Sequence, residues 1–342
     1  MNELITASDV IKEIRIVLDS ARSNVAREVN SELLLTYWNI GRIVSEYEQS
    51  VPVRADYGKQ TLKELSKILT KEFGKGFSRS NLQNMRAFYL TYEKCQTLSG
   101  KLSWPHYCEL MSITDKNKRS FYEKEAANSN WSVRELKRQI DSSLFERLLL
   151  SKADINKEQV LALAEKGIEI SKPSDIIRDP YVFEFLGLPE DKPLMESDLE
   201  AALVRQIEDF FLELGRGFMF VGTQQRVTID NEHYYVDMVF YNKILRSYVL
   251  LELKTRKLMP AAIGQLNMYL NYYAEEVNEP DDNPPIGIVL SPERDSVVAE
   301  YALGGLSNNI FTSRYVLYLP DKDQLIAQVE RVLDKWQHPG EN

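Results

Sequence analysis

The sequence predicts a two-domain α/β protein, in which an all-α front half precedes a mixed sheet flanked by helices. Apolar residues recur at spacings of three and four in the first 150 residues, a pattern typical of helices. Segments around 234–255 and 285–291 are rich in β-branched, aromatic and other apolar residues, a composition that favours strands. A chain of 342 residues is long enough for two domains with a core each.

Composition narrows the class of protein. No apolar run approaches the roughly 18 residues that a membrane span needs, and the N-terminus lacks the apolar segment of a signal peptide. Two cysteines, Cys95 and Cys108, do not make a disulfide framework, and three scattered histidines do not make a zinc site. We therefore expect a cytoplasmic protein with no membrane partner.

Charge is divided unevenly along the chain. The net charge is −9, but residues 1–150 carry 23 Lys and Arg against 19 Asp and Glu, a balance of +4. The remainder therefore carries −13. This asymmetry favours a front half that faces nucleic acid and a back half that uses clustered carboxylates.

The stretch 61–92 has the pattern of a helix-turn-helix. A helix to about Phe73 meets the turn-forming run Gly74-Lys75-Gly76, and a second helix begins with Ser78 or Ser80 as its N-cap. The residues predicted to face inward are Leu62, Leu65, Leu69, Leu82, Met85 and Phe88.

Basic side chains decorate this stretch. Lysine recurs every fourth residue, at Lys59, Lys63, Lys67, Lys71 and Lys75. The second helix adds side chains that suit phosphates or base edges, namely Arg79, Asn81, Gln83 and Arg86. We predict that DNA is contacted by Lys63, Lys67, Lys71, Arg79 and Arg86. The alternative is a solvated lysine face on an ordinary helical hairpin.

Two strands of the back half are predicted to form a hairpin. They cover Tyr234–Tyr241 and Ser247 to about Thr255, with a polar and flexible connection between them. A four-residue loop, Lys243–Arg246, places Asn242 opposite Ser247. In an antiparallel pair this one contact fixes the register of every other residue.

The predicted register places Asp237 directly opposite Glu252, with Lys254 on the same face as Glu252. Like charges at facing positions are destabilising, and burying them unpaired is costly. A hard divalent cation would remove that penalty, because Mg²⁺ accepts carboxylate, water and phosphate oxygens. Lys254 could then hold a water bound to the metal. The alternative is a purely structural ion cluster.

A further carboxylate lies on the apolar face of a helix predicted over about 197–214. At 100° per residue, Glu200 falls inside an arc formed by Leu203, Val204, Ile207, Phe210, Phe211 and Leu214. The acidic residues outside the arc are Glu208, Asp209 and Glu213. A metal shared with Asp237 and Glu252 would give Glu200 a partner. The alternative is a capping box, Ser197-x-x-Glu200.

Asp237 followed by Glu252-Leu253-Lys254 resembles the signature of PD-(D/E)XK nucleases, with Val236 standing where the signature has proline. The wider runs YYVDMVFYN, YVLLELK, GQLNMYL and PPIGIVLS are similar to the YhcG-type family of these nucleases. The similarity continues in ADYGKQTLKELSKILTKEFGKGFS and NWSVRELKRQI, so it covers nearly all of the chain.

This resemblance implies a restriction-endonuclease-like sheet and a site that uses Mg²⁺ or Mn²⁺. The metal ligands would be Asp237, Glu252 and Glu200. Lys254 would orient the attacking water. Gln265-x-x-x-Tyr269 resembles an accessory motif of RecB-like nucleases, which lines the site and touches DNA. The alternative for this pair is a surface glutamine and a core tyrosine.

We predict three segments. Residues 1–150 form a helical, nucleic-acid-binding domain, and residues 196–342 form the nuclease domain. Residues 151–195 form a linker docked on the nuclease core, because its apolar side chains are too many to leave in solvent. Those side chains are Tyr181, Phe183, Phe185 and Leu186.

The predicted activity is hydrolysis of DNA by a divalent-metal-dependent endodeoxyribonuclease. The alternative is a catalytically silent DNA-binding or scaffolding protein that keeps the nuclease fold as an interaction module. DNA is the expected partner, and a second copy of the chain and other DNA-processing proteins are left open as further partners. The sequence does not distinguish DNA from RNA, or single from double strands.

Overall fold

The structure, a computed structural model, describes residues 7–50, 55–92, 100–151, 156–188, 194–293, 303 and 309–337. The chain divides into two compact units, Met1–Leu136 and Lys137–Asn342. Within the described ranges, no helix is long and apolar enough to cross a membrane. Cys108 is a half-buried free thiol, and Cys95 lies outside the described residues.

The first unit is helical. Its helices are α1 (Ala7–Ser50), α2 (Ala55–Phe73), α3 (Arg79–Thr91), α4 (Trp104–Leu110) and α5 (Lys116–Ser129), and α6 (Val133–Asp141) crosses the division between the units. Periodicity predicts two helices, over 10–18 and 33–47, where the structure has the single helix α1. The intervening residues contain no proline or glycine to end a helix, which explains the difference.

Helix α1 packs against α3 at Gly41. A Cβ atom at this position would overlap the main-chain carbonyl of Met85. Glycine is therefore required here by the close approach of two helices rather than by an unusual φ angle. Gly41 lies in the helix predicted over 33–47, where a glycine indicates a point of close packing, and this contact confirms that prediction.

The predicted helix-turn-helix is present. Gly74 follows α2 with φ of 93°, a short 3₁₀ turn spans Lys75–Phe77, and Ser78 caps α3 by accepting a hydrogen bond from the Asn81 main-chain N–H. The buried members of the inward face are Leu62, Leu82, Met85 and Phe88, while Leu65 and Leu69 are half-buried.

The second unit contains a mixed sheet, as predicted, and its described residues form six strands. Its strands are β1 (Tyr181–Val182), β2 (Phe218–Ile229), β3 (Glu232–Asn242), β4 (Ser247–Leu253), β5 (Ile286–Ser291) and β6 (Asn309–Val316). The order across the sheet is β1-β6-β5-β4-β3-β2. Strands β2, β3 and β4 pair antiparallel, and the pairs β4–β5, β5–β6 and β6–β1 are parallel.

Helices cover both faces of this sheet. The helices of the second unit are α7 (Leu144–Leu150), α8 (Lys157–Lys166), α9 (Glu196–Arg205), α10 (Ile207–Leu214), α11 (Pro260–Tyr272) and α12 (Lys322–Gln337). Apolar residues of α9 and α10 share one core with inward residues of β3 and β4. Residues of α11 share a second core with the opposite face of β3, β4 and β5.

The segment predicted as a docked linker contributes a strand to the sheet. Tyr181 and Phe183 are fully buried, Leu186 is buried, and Phe185 packs partly buried against the same core. Tyr181 pairs in parallel with Tyr315 of β6. These side chains pack in or against the core of the second unit. The two-residue strand β1 is a feature that the sequence pattern did not indicate.

The predicted helix over 197–214 is two helices, α9 and α10, separated at Gln206, whose φ and ψ are −116° and 43°. Beyond this break the predicted arc is right for Phe210, Phe211 and Leu214, which lie in or against the core, but it is wrong for Glu213. Glu213, predicted outside the apolar arc, is fully buried, and its Oε1 lies 2.5 Å from Arg147 Nη1. Val204, predicted inside the arc, is 37% exposed.

Three arginines compensate the buried Glu213 carboxylate. Besides Arg147, Arg138 and Arg178 lie within 3.5 and 3.8 Å of it. Burial alone would raise the pKa of Glu213, but the guanidinium groups outweigh burial and lower it. The cluster therefore holds α6, α7 and α10 together through a fully paired charge.

Candidate active site

The hairpin register is the one that the sequence predicts. Asn242 pairs with Ser247 and Met238 pairs with Leu251, so Asp237 and Glu252 occupy the next facing positions. The ladder ends there, and Asp237 Oδ2 accepts a hydrogen bond of 2.8 Å from the main-chain N–H of Leu253. Asp237 is thereby fixed at the point where β3 and β4 separate.

Lys254 lies between two carboxylates. Its Nζ donates to Glu252 Oε1 at 2.9 Å and to Glu196 Oε2 at 3.1 Å. Its main chain is held by hydrogen bonds from its N–H to the Leu290 carbonyl and from the Tyr315 hydroxyl to its own carbonyl. Contacts of the main chain and of the side chain of Lys254 therefore both fix the position of its ammonium group.

Glu196 is a site residue that sequence reasoning missed. It is the first residue of α9 and lies four residues before Glu200. Residues at this spacing share one face of a helix. The sequence does contain a signal for Glu196. If the helix is predicted to begin at residue 196 instead of 197, Glu196 falls on the same face as Glu200.

The two facing carboxyls are short of positive charge. Glu252 is 3% exposed, and its Oε2 is buried with no hydrogen-bond partner. Burial and the Asp237 carboxylate raise the pKa of Glu252 to about 7, against the opposing effect of Lys254. Burial also raises the pKa of Asp237. Burial would lower the pKa of Lys254, but the Glu252 carboxylate outweighs it and raises that pKa.

Glu200 joins the site through Gln224. The Gln224 Nε2 donates to Glu200 Oε2 at 2.7 Å and to Asp237 Oδ1 at 3.3 Å. Burial raises the pKa of Glu200, with a further contribution from Asp237. The capping-box alternative is wrong, because α9 begins at Glu196 after Met195, which makes no side-chain cap bond.

The donor set fits a hard divalent cation, although the carboxylates are held in two pairs. Within the described ranges, no group of three or more His, Cys, Asp or Glu side chains is arranged to hold a metal ion. Instead, Gln224 bridges Glu200 and Asp237, and Lys254 bridges Glu196 and Glu252. The buried and unpartnered Glu252 Oε2 is an oxygen ligand of the kind that Mg²⁺ prefers.

Gln265 and Tyr269 lie next to β3, the strand that carries Asp237. Gln265 Nε2 donates to the Tyr269 hydroxyl at 2.6 Å, and this hydroxyl donates to the Tyr235 carbonyl at 3.2 Å. Tyr235 precedes Asp237 by two residues. Tyr269 is fully buried in the core beneath α11 while Gln265 is exposed, so the pair connects α11 to β3 beside the site.

The predicted DNA contacts of the first unit differ in their availability. Lys63, Lys67, Lys71 and Arg79 are exposed. Arg86 is partly buried, and its Nε lies 2.5 Å from Glu48 Oε2. Arg86 is therefore already engaged within its own unit, whereas the exposed lysines retain solvated ammonium groups.

The fold is that of a PD-(D/E)XK nuclease domain. The profile of the YhcG PDDEXK nuclease domain matches residues 174–330, and that of the DUF1016 N-terminal domain matches residues 13–147. The chain is 41% identical over 347 residues to "Putative nuclease YhcG" of Escherichia coli (strain K12). The matched region covers 92% of this chain and 91% of that protein. The chain belongs to the YhcG family of nucleases.

Two solved structures show a more distant similarity. A repair endonuclease from Pyrococcus abyssi is 20% identical, with a TM-score of 0.26 and 39% of this chain covered. The EndoMS–dsDNA2 complex is 22% identical, with a TM-score of 0.27 and the same coverage. The matched part spans about half the length of those two chains.

Proposed function

We propose that this protein is a divalent-metal-dependent endodeoxyribonuclease that hydrolyses DNA phosphodiester bonds. The observation that carries the proposal is the facing pair Asp237 and Glu252, with Lys254 Nζ 2.9 Å from Glu252 and Glu252 Oε2 unpartnered. A structural ion cluster would satisfy its buried oxygens, whereas this one leaves a buried carboxylate oxygen without a hydrogen bond.

In this proposal Asp237, Glu252 and Glu200 hold Mg²⁺ or Mn²⁺. The ion supplies Lewis-acid stabilisation of phosphoryl charge and lowers the pKa of bound water. Lys254 orients the attacking water and stabilises negative charge that develops on the phosphate. Glu196 is a second carboxylate partner of the Lys254 ammonium, and with Glu252 it keeps the lysine charged and fixed in the site.

Gln265 and Tyr269 are proposed to contact the substrate at the edge of the site. The exposed Gln265 amide offers hydrogen bonds to a DNA phosphate or sugar, and the buried Tyr269 fixes the position of that amide. The helical domain is proposed to hold DNA through phosphate contacts from the exposed Lys63, Lys67, Lys71 and Arg79, together with the less available Arg86.

A cleavage assay tests the activity. The full chain is incubated with supercoiled, linear and single-stranded DNA, and with RNA, across a series of Mg²⁺ and Mn²⁺ concentrations. We expect cleavage of DNA that requires metal and stops in excess EDTA. Metal-dependent binding of DNA with every substrate left intact would instead support the silent DNA-binding alternative.

The lysine row of α2 gives a test of DNA binding. Replacing Lys63, Lys67 and Lys71 together with glutamate in the full chain is expected to weaken DNA affinity at low salt. It should also reduce the slope of log K against log salt by about 3, because each phosphate contact releases roughly 0.9 counterions and three contacts are lost. Filter binding over a salt series measures both quantities.

A matched control carries the same change of charge elsewhere. Lys116, Lys124 and Lys137 are exposed and lie outside the helix-turn-helix. Their triple replacement with glutamate should reduce the slope by much less. Equal losses in the two triple variants would mean that α2 is a solvated face with no special part in binding.

A further inference from the structure

Gln224 occupies an unusual position in β2. Its neighbours Thr223 and Gln225 pair with Met238 and Val236 of β3, so Gln224 faces Asp237. Its φ is 47°, in the left-handed region that non-glycine residues rarely adopt. Backbone strain of this kind persists only where the surrounding structure enforces it, and it is common at functional sites.

The side chain of Gln224 links two elements that carry acidic groups. Its amide nitrogen reaches Glu200 Oε2 of α9 at 2.7 Å and Asp237 Oδ1 of β3 at 3.3 Å. The neighbouring Gln225 makes only a local contact, from its Nε2 to the Thr223 carbonyl at 3.1 Å. Gln224 therefore joins the helix to the sheet through both carboxylates, while Thr223 adds a hydrogen bond to Glu200 alone.

The contact brings together two groups that would otherwise repel each other. Glu200 is half-buried on α9, so loss of the Gln224 hydrogen bond leaves its carboxylate more rotamers to adopt, with Thr223 as its remaining partner. A donor shared between two carboxylates keeps both oxygens near one point before any cation arrives. The side-chain amide of Gln224 also has a carbonyl oxygen, and hard cations accept such oxygens as ligands. The side chain therefore suits the site both without and with a bound cation.

We propose that Gln224 is a positioning residue of the metal site, which holds Glu200 beside Asp237 so that a divalent cation meets a preformed pair of carboxylates. This inference rests on the metal dependence proposed above. Its effect should appear in the affinity for the cation, since a preorganised site spends less binding free energy on ordering its ligands.

Two substitutions test the role without relying on one variant to fold. Gln224→Met keeps the length of the side chain and removes the amide. Gln224→Gly removes the side chain but tolerates the positive φ, so the fold is protected. Each is expected to weaken Mn²⁺ binding to the full chain by about tenfold or more, as is typical of residues that orient metal ligands. Isothermal titration with Mn²⁺ measures the affinity.

The control is Gln225→Met, the same chemical change one residue along, which should leave Mn²⁺ affinity unchanged. A double-mutant cycle shows whether Gln224 changes Mn²⁺ affinity through Glu200. In a Glu200→Gln background, Gln224→Met should weaken binding by less than about twofold further, because the charged carboxylate that Gln224 positions is already gone. An equal loss in both backgrounds would mean that Gln224 does not act through Glu200.

The outcomes separate this inference from the proposed function. Wild-type protein that binds Mn²⁺ no better than Asp237→Asn would overturn the proposed metal dependence itself. Wild-type protein that binds Mn²⁺ normally, with both Gln224 variants binding equally well, would overturn only the positioning role.

Discussion

Replacing Asp237 with asparagine is expected to lower the rate of metal-dependent DNA cleavage by about 10²–10³-fold or more, the loss typical when a group that stabilises transition-state charge is removed. Asparagine keeps the size of the side chain and an oxygen to accept the Leu253 N–H. What it removes is the charge that would bind the cation. Gel-based cleavage rates at saturating Mg²⁺ measure the effect.

The same substitution should stabilise the protein when metal is absent. Burial raises the pKa of both Asp237 and Glu252, the latter to about 7, above their values in an unfolded chain. Such groups favour folding at pH below the unfolded pKa, and that stability is lost as pH rises through the folded pKa. In EDTA, the wild-type melting temperature should therefore fall between about pH 5 and pH 8, and Asp237→Asn should fall less.

Lys254→Met provides the contrast. It should depress cleavage to a similar extent, but it should lower the melting temperature in EDTA at pH 8, because the ammonium is the cation that Glu252 and Glu196 contact. Asp230→Asn, an exposed turn residue with φ of 47°, is the matched control and should behave as wild type. Cleavage by Asp237→Asn within about twofold of wild type would contradict the assignment of the site.

The register that brings Asp237 and Glu252 together could be predicted from sequence because a hairpin obeys a simple rule. One contact, Asn242 opposite Ser247, fixes the register, and the facing of Asp237 and Glu252 follows from it. The helix-turn-helix was predictable for a similar reason, since glycine and serine mark its turn and cap. These are local signals that do not depend on the rest of the fold.

Contacts made across the fold were not predictable in this way. No glycine or proline in the sequence indicates the break at Gln206. The prediction therefore treated 197–214 as one continuous helix and placed Glu213 on its exposed face. The two-residue strand β1 is too short to show a pattern. Gln224 was visible in the sequence, but its role depends on a positive φ that a glutamine does not signal. Tertiary packing decides each of these features.

Glu200→Gln is the second substitution with a large expected effect. The variant keeps the shape of the side chain and an oxygen to accept the Gln224 amide, and it removes one negative charge near Asp237. We expect cleavage to fall by about 10²-fold or more, and the affinity for Mg²⁺ or Mn²⁺ to weaken. Burial and Asp237 raise the pKa of Glu200, so the metal-free variant should be at least as stable as wild type at pH 8.

The matched control is Glu208→Gln, the same change at an exposed residue of the neighbouring helix α10, which should leave rate, affinity and melting temperature unchanged. Melting temperatures with and without Mg²⁺ complete the comparison. If Glu200 is a site carboxylate, the stabilisation by Mg²⁺ shrinks in Glu200→Gln, because the stabilisation of the folded state by a ligand rises with the logarithm of its affinity. If Glu200→Gln cleaved DNA at the wild-type rate with undiminished stabilisation by Mg²⁺, the metal would be held by Asp237 and Glu252 without help from α9.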